Sequence, residues 1–496
     1  MGSLLYIDIS KLEMRVSSLF SGLLLLLPAL VLAQPGGATP LTLEQAAGLM
    51  LQNHPELRAL RMEEEAADYA FRATAGLRLP SLSVTALYAY LPNDLAADLN
   101  PLKPQVSGAI GSFLPSLPPS LAESLLPAVS PKIAEMMAKD WKITLQENQM
   151  GIVGSVLTFP IYTGGKIGVA RRAARLKLDA AGLKGTQQLN SLYSQLIERY
   201  YGLLLASEVL EVRKEVLKAM RQHLHDAALL EANGAIARGE KLYAESVVAE
   251  AEKEVTKAEL TLRSIQRVMQ NILYTSGNWT PVSPLFVLDA SDSLPRFLAD
   301  AMAHNPLLKQ VELQAQLAGE GVKLHRADYL PQVAVTGMAR LADYQLMNGM
   351  PRWVAGAGLK MNLFDGFQRE NRYKEAKAKV RQVEAVLEQA ADNVETLVEK
   401  LYLDMHSEAL QLPALESALA FAREYLRMKE MLFAEGAATS IDVVDARLNV
   451  ARLQIERLQA AYRFDLLLAK LLEACGQSTE FVSYSRQPGV TAVMID

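Results

Sequence analysis

A single cysteine, Cys475, stands among 496 residues, which excludes an internal disulfide framework and any four-ligand cysteine metal site. It is expected as a small buried side chain. Aromatic residues make up only 6% of the chain, and an excess of positive charge is missing: the formal net charge is -5, which argues against a nucleic-acid binder. No stretch reaches the roughly 20 apolar residues that a membrane-spanning helix needs. Proline is missing from Gly164 to Gly234, and only Pro413 interrupts Gly366 to Gly436. No nucleophile, base and orienting group cluster together, so neither an enzyme nor a cofactor is expected. Gly164-Gly165-Lys166 fails as a phosphate loop, because Pro160 stands where glycine is needed and Ile167 where Ser or Thr is needed. His223 and His225 are two apart on a helix and diverge, and both are expected at the surface rather than as metal ligands.

What is present favours long helices: 50% hydrophobic and 21% charged residues, rich in Ala, Leu, Glu, Lys and Arg. The N-terminus reads as a signal peptide over residues 1–33. Lys11 and Arg15 precede the apolar run Leu23 to Leu32, and Val31-Leu32-Ala33 supplies small residues for cleavage before Gln34. Met14 is a second candidate start, and with no cysteine behind the signal no lipid anchor is expected on the mature N-terminus.

The chain also says nearly the same thing twice. Asn53-His54-Pro55 recurs as His304-Asn305-Pro306, and Leu79-Pro80 with Val84-Thr85 recurs as Leu330-Pro331 with Val335-Thr336, each about 251 positions on. Gly164, Tyr200 and Gly234 then answer to Gly366, Tyr402 and Gly436 at about 202, so the first copy carries about 49 extra residues. The expected division is 34–290 for the first repeat, with 91–148 as an insertion, 291–475 for the second, and 476–496 as a tail. Thr275 to Asp292 and Gly476 to Asp496 read as a polar connector and a polar tail.

Each copy predicts the same order of elements. A helix runs from Thr42, which with Gln45 has capping-box spacing, to about Gly76; its counterpart runs from about Ser293 to Asp328. Pro80 and Pro331 forbid continuation, and alternation follows. Leu82, Val84, Ala86, Tyr88 and Tyr90 oppose Ser83 and Thr85; Val333, Val335, Ala339 and Leu341 oppose Gln332, Thr336 and Arg340. Return strands are expected over about Gly151 to Phe159 and Trp353 to Leu363. Thr163 and Asp365 are placed to cap the long helices, which end at Gly234 and Gly436 and return from about Glu240 to Leu273 and from about Ile441 to Ala474. Strands joined end on to such helices suit a membrane barrel, which must close because lipid cannot satisfy free edge groups. Membrane barrels begin at about 8 strands, so four strands require an oligomer. Tyr88, Tyr90, Phe159, Tyr344, Trp353 and Phe364 would suit interfacial belts, or equally a core.

The duplicated order resembles the TolC family of outer-membrane efflux proteins over nearly the whole mature chain. The residues that carry the likeness are Leu41-Thr42-Leu43-Glu44-Gln45-Ala46 with Asn53-His54-Pro55, the strand exits Leu157 to Gly165 and Leu363-Phe364-Asp365-Gly366, and the segment Gly436 to Ala446. The resemblance implies a homotrimer in the outer membrane, each chain giving four strands to one 12-stranded β-barrel continued by a periplasmic α-helical barrel. It implies a passive exit duct fed by an inner-membrane pump and a periplasmic adaptor that docks at the hairpin tips around Gly234 and Gly436. The insertion would then face outward, as a surface loop or as a plug or lid. Asp442 and Asp445, three apart at a helix start, can share a face, and Glu240 corresponds to Asp442; by resemblance these carboxylates line the periplasmic aperture and favour cations. Where some family members hold the tip closed with tyrosine and arginine, this chain has Phe433 and Ala438. Arg238 is the substitute cation expected, packing the alternative. The competing class is a periplasmic coiled-coil scaffold or adaptor without a barrel.

Overall fold

The computed structural model describes residues 39–116, 118–288, 293–346 and 350–494; the expected signal peptide lies outside them. The chain opens with β1 (Thr39–Leu41), α1 (Leu43–Asn53) and α2 (Pro55–Gly76). The Thr42 and Gln45 capping box forms, Thr42 Oγ1 accepting from the Gln45 amide at 3.2 Å and Gln45 Oε1 from the Thr42 amide at 3.0 Å. The single helix expected over Thr42 to Gly76 is, however, two. Proline disfavours helical backbone in the residue before it, so His54 is extended, with φ -67 and ψ 117, and Pro55 starts a new helix.

Next come β2 (Ser81–Tyr90), β3 (Leu95–Asp98), α3 (Lys103–Phe113), α4 (Pro119–Ala138), β4 (Lys142–Gln146) and β5 (Gln149–Tyr162). The first hairpin of helices is α5 (Lys166–Ala232) and α6 (Arg238–Leu273), followed by β6 (Trp279–Pro281) and β7 (Leu285–Leu288). The order then repeats: α7 (Leu294–His304), α8 (Pro306–Ala327), β8 (Gln332–Tyr344), β9 (Trp353–Lys360), α9 (Gln368–Ala434) and α10 (Ser440–Ala474), closed by α11 (Phe481–Tyr484) and β10 (Val490–Val493). The second opening helix breaks at Asn305-Pro306 for the same reason, and Asn305 caps α8 through Leu308 N at 2.9 Å.

Both α5 and α9 run for 67 residues, about 100 Å at helical rise. Their starts differ from expectation: the N-caps are Gly165 (φ 87) and Phe367 (φ 63), with no side-chain cap. Thr163 Oγ1 is left with a 3.5 Å contact to Ile167 N, while Asp365 pairs with Arg369 at 3.0 Å. At Gly164 (φ +64) an added Cβ would lie 2.8 Å from the Ala327 carbonyl oxygen, so only glycine lets β5 leave the sheet against the end of α8.

β2, β5, β8 and β9 form one antiparallel sheet in that order. Its register aligns Leu82, Val84, Leu157, Val335, Trp353 and Leu359 on one face. Leu82 sits opposite Leu157, Leu157 opposite Gly337 and Gly337 opposite Ala355; Ser155 meets Ala339, and Ala339 meets Trp353. The other face mixes Ser83, Thr85, Thr158, Thr336, Arg340 and Lys360 with Leu87, Val156, Met338 and Val354. The apolar face is uncovered: Leu82, Trp353 and Leu359 are 70%, 71% and 69% exposed. Both edges, β2 and β9, are unpaired among the described residues.

The insertion is folded. β3 and β4 pair, α3 and α4 stand beyond them, and Gln146, buried at the base, donates through Nε2 to the Gln345 carbonyl at 2.6 Å.

The connector and tail expected to be polar instead complete the main core. β1 pairs with β6 and β7 with β10. Leu285, Phe286, Val287 and Leu288 are buried at 3% exposure or less, with Phe481, Tyr484 and Val493 beside them. Tyr200 ties these pieces together, donating to Leu41 O at 2.7 Å and accepting from Val282 N and Ser283 N at 3.1 and 2.9 Å. Cys475 is buried here as expected, and desolvation pushes its thiol up to about 12. No helix among the described residues is long and apolar enough to cross a membrane, which leaves the sheet out of account.

Candidate functional site at the hairpin tips

The sheet lies at one end of the long helices and the two hairpin tips at the other. Each tip closes with the same motif. Gly234 N donates to Glu231 O at 2.9 Å and Ala235 N to Leu230 O at 2.8 Å; Gly436 N donates to Phe433 O at 2.9 Å and Ala437 N to Leu432 O at 2.7 Å. This paired closure satisfies the last helical carbonyls but demands a left-handed residue, and φ is +75 at Gly234 and +73 at Gly436.

The returning helices start differently. In the second hairpin Thr439 and Asp442 form a capping box: Asp442 Oδ2 accepts from Thr439 N at 3.0 Å and from Thr439 Oγ1 at 2.8 Å, and Lys429 of α9 donates to Oδ1 at 3.0 Å. The Thr439 backbone and hydroxyl, then Lys429, hold the Asp442 carboxyl down at about 2. In the first hairpin the N-cap is Ala237, which has no side chain to cap with. Glu240, matching Asp442 in position, instead reaches into the other hairpin, where Oε2 accepts from Ser440 N at 3.0 Å. That amide is an unpaired donor at a helix N-terminus, where an anion is favoured.

Asp445, one turn beyond Asp442, is exposed. It faces the Tyr243 phenol of α6, which is held above its usual range by burial, then by Asp445 and Glu240. Arg238 is exposed at the first position of α6 and has no ion pair among the described residues. The structure therefore brings Glu240 onto the α10 N-terminus, draws Asp442 into its own hairpin, and leaves Asp445 and Arg238 open. No group of three His, Cys, Asp or Glu able to hold a metal occurs among the described residues.

Several residues at this end carried no signal in the sequence. Lys429 neutralises Asp442, and Arg447 of α10 pairs with Glu430 of α9. His223 departs from its expected surface position: it is 8% exposed, and its ring centroid lies 4.7 Å from that of Phe433. His225, two positions on, is exposed. His223 lies on the buried stripe of Val216, Met220 and Ala227 on α5 and packs there against Phe433 of the second hairpin.

The comparisons with known proteins agree with this architecture. A family model described as "Outer membrane efflux protein" matches residues 297–477. Protein CyaE from Bordetella pertussis is 26% identical over 269 residues, covering 52% of this chain and 56% of that protein. The chain thus aligns with little more than half the length of that relative. Outer membrane efflux protein BepC from Brucella suis is 23% identical over 343 residues, covering 66% of this chain and 73% of BepC. The crystal structures of CusC, which follow folding and transmembrane channel formation, superimpose with a TM-score of 0.69 over 90% of this chain and 95% of that one, at 16% identity. The chain is similar to outer-membrane efflux proteins over residues 297–477 and shares the fold of the solved channels. These matches support an outer-membrane location with an extension into the periplasm.

Proposed function

We propose that this protein is an outer-membrane efflux protein acting as a passive exit duct, assembled as a homotrimer in which three four-stranded sheets close into one 12-stranded barrel. One observation carries the reading. The register gathers Leu82, Val84, Leu157, Val335, Trp353 and Leu359 from all four strands on one uncovered face, with the charged and most serine and threonine side chains on the other, while both sheet edges stay open. In lipid each unpaired backbone group costs several kcal/mol, so edge β2 must meet an edge β9, and a second copy is the natural source. The polar face then lines the lumen, and α5, α6, α9 and α10 of three copies continue it into the periplasm. The two halves of the chain share this design through an internal tandem duplication, and the 91–148 insertion faces outward.

In this reading the hairpin tips form the periplasmic aperture. Asp445, Asp442 and Glu240 give it a negative rim, Arg238 is free to reach a neighbouring copy, and the tips around Gly234 and Gly436 receive a periplasmic adaptor that couples the duct to an inner-membrane pump. The duct does no chemistry on its cargo, and the pump supplies both energy and selection. Fractionation, cross-linking and planar-bilayer recording test this together. The expected outcome is recovery in the outer membrane, a trimer on cross-linking and a cation-preferring conductance. Recovery in the soluble periplasmic fraction without conductance would replace the duct by a coiled-coil scaffold.

A further inference from the structure

We propose that His223 is an acid-sensitive wedge between the two hairpin tips: in neutral form it packs them together, and its protonation separates them. The idea deepens the aperture reading and rests on it only for its consequence, since the packing itself is a property of one chain.

His223 belongs to the first hairpin, yet its ring lies against Phe433 of the second. Its Nε2 is buried and meets no partner. The charged groups around it are Asp226 on α5, Glu240 on α6 and Arg447 on α10, whose guanidinium pairs with Glu430 of α9. All three carboxylates are already engaged: Glu430 pairs with Arg447, Glu240 accepts from Ser440 N, and Asp226 accepts from Gln222 Nε2 at 2.9 Å. A neutral imidazole suits this place as a flat, half-apolar filler. An imidazolium would bring a second cation beside the half-buried Arg447, with a new N–H donor at Nε2 and no acceptor for it.

The direction of the pH effect follows. Burial, then Arg447, lowers the proton affinity of packed His223 below that of a free histidine, against smaller opposing pulls from Asp226 and Glu240. A separated tip exposes the ring, which then takes a proton near pH 6.5. The packed tip therefore keeps its full advantage above about pH 6.5 and loses it progressively as the pH falls towards the lower packed-state value. Asp442, held at about 2, stays ionised throughout that range and cannot produce the effect.

Hydrogen exchange of the full-length protein reads this directly, through the amides of 230–238 and 431–442 at pH 7.5 and 5.5 after correction for intrinsic rates. Wild-type tip amides are expected to open more at pH 5.5, by up to about tenfold per pH unit, the limit for uptake of one proton. His223→Gln should abolish the response. His223→Phe, which keeps ring packing against Phe433 and has no proton to take up, should also be flat and guards against a merely disordered Gln variant. Glu240→Gln should retain the response. A wild-type tip indifferent to pH, an equal response in both His223 variants, or its loss in Glu240→Gln would overturn the proposal. The readout needs no conductance, so a failure of the duct reading would show separately, as absent conductance in a protein whose tips still respond.

Discussion

Leu230 to Ala235 and Leu432 to Ala437 close their helices with the same two backbone hydrogen bonds and the same left-handed glycine, yet the helices that return from them are capped in opposite ways. Thr439 gives Asp442 a local partner, and the carboxylate stays within its own hairpin. Ala237 gives Glu240 none, and the carboxylate crosses to Ser440. A single methyl in place of a hydroxyl-bearing side chain thus decides whether an acidic residue stabilises its own helix or ties two hairpins together. The coupling between tips exists because one of them lacks its own cap.

Three sets of variants would break or sharpen that comparison. Gly234→Ala and Gly436→Ala probe the shared half. Nothing lies within 4 Å of a Cβ at either position, so each substitution carries only the backbone penalty of about 1–2 kcal/mol for a left-handed residue. Equal faster exchange at the two tips is expected, and clearly unequal penalties would end their equivalence. Exchanging the caps probes the other half. Thr439→Ala should cost about 1 kcal/mol at the start of α10, whereas Ala237→Thr should create a capping box that recaptures Glu240, protecting α6 amides while exposing Ser440 N. If Ser440 N stays protected in Ala237→Thr, the cross-hairpin bond does not depend on the missing cap. The smallest structural effect is expected from Arg238→Ala, because Arg238 has no ion pair among the described residues. Stability should be unchanged while resting conductance rises; unchanged conductance would remove Arg238 from the aperture.

Much of the architecture was legible because it depends on local rules. Gly234 and Gly436 mark the helix ends because few other residues tolerate that backbone. The Thr42 and Gln45 box, the proline stops at Pro80 and Pro331, and the alternation of Leu82 to Tyr90 are equally local. The splitting of the opening helices at Pro55 and Pro306 could have been read from the same rule that stopped them later. Leu285 to Leu288 was missed because four apolar residues have no period to recognise, and their burial comes from β10, some 200 positions on. His223 was missed because only its spacing to His225 was weighed, although Val216, Met220 and Ala227 at helical spacing form a buried stripe through it; Phe433, brought over by the second hairpin, packs on that stripe.

The sequence by itself determined where the long helices and the four strands of the main sheet lie and where the helices stop, since backbone geometry, capping and periodicity act over a few residues. Only the tertiary structure decided that four strands share one register with both edges open, that the connector and tail close the core, and that Glu240 and His223 sit between hairpins. Those outcomes depend on contacts between segments tens to hundreds of residues apart, where no local preference can say which partner arrives.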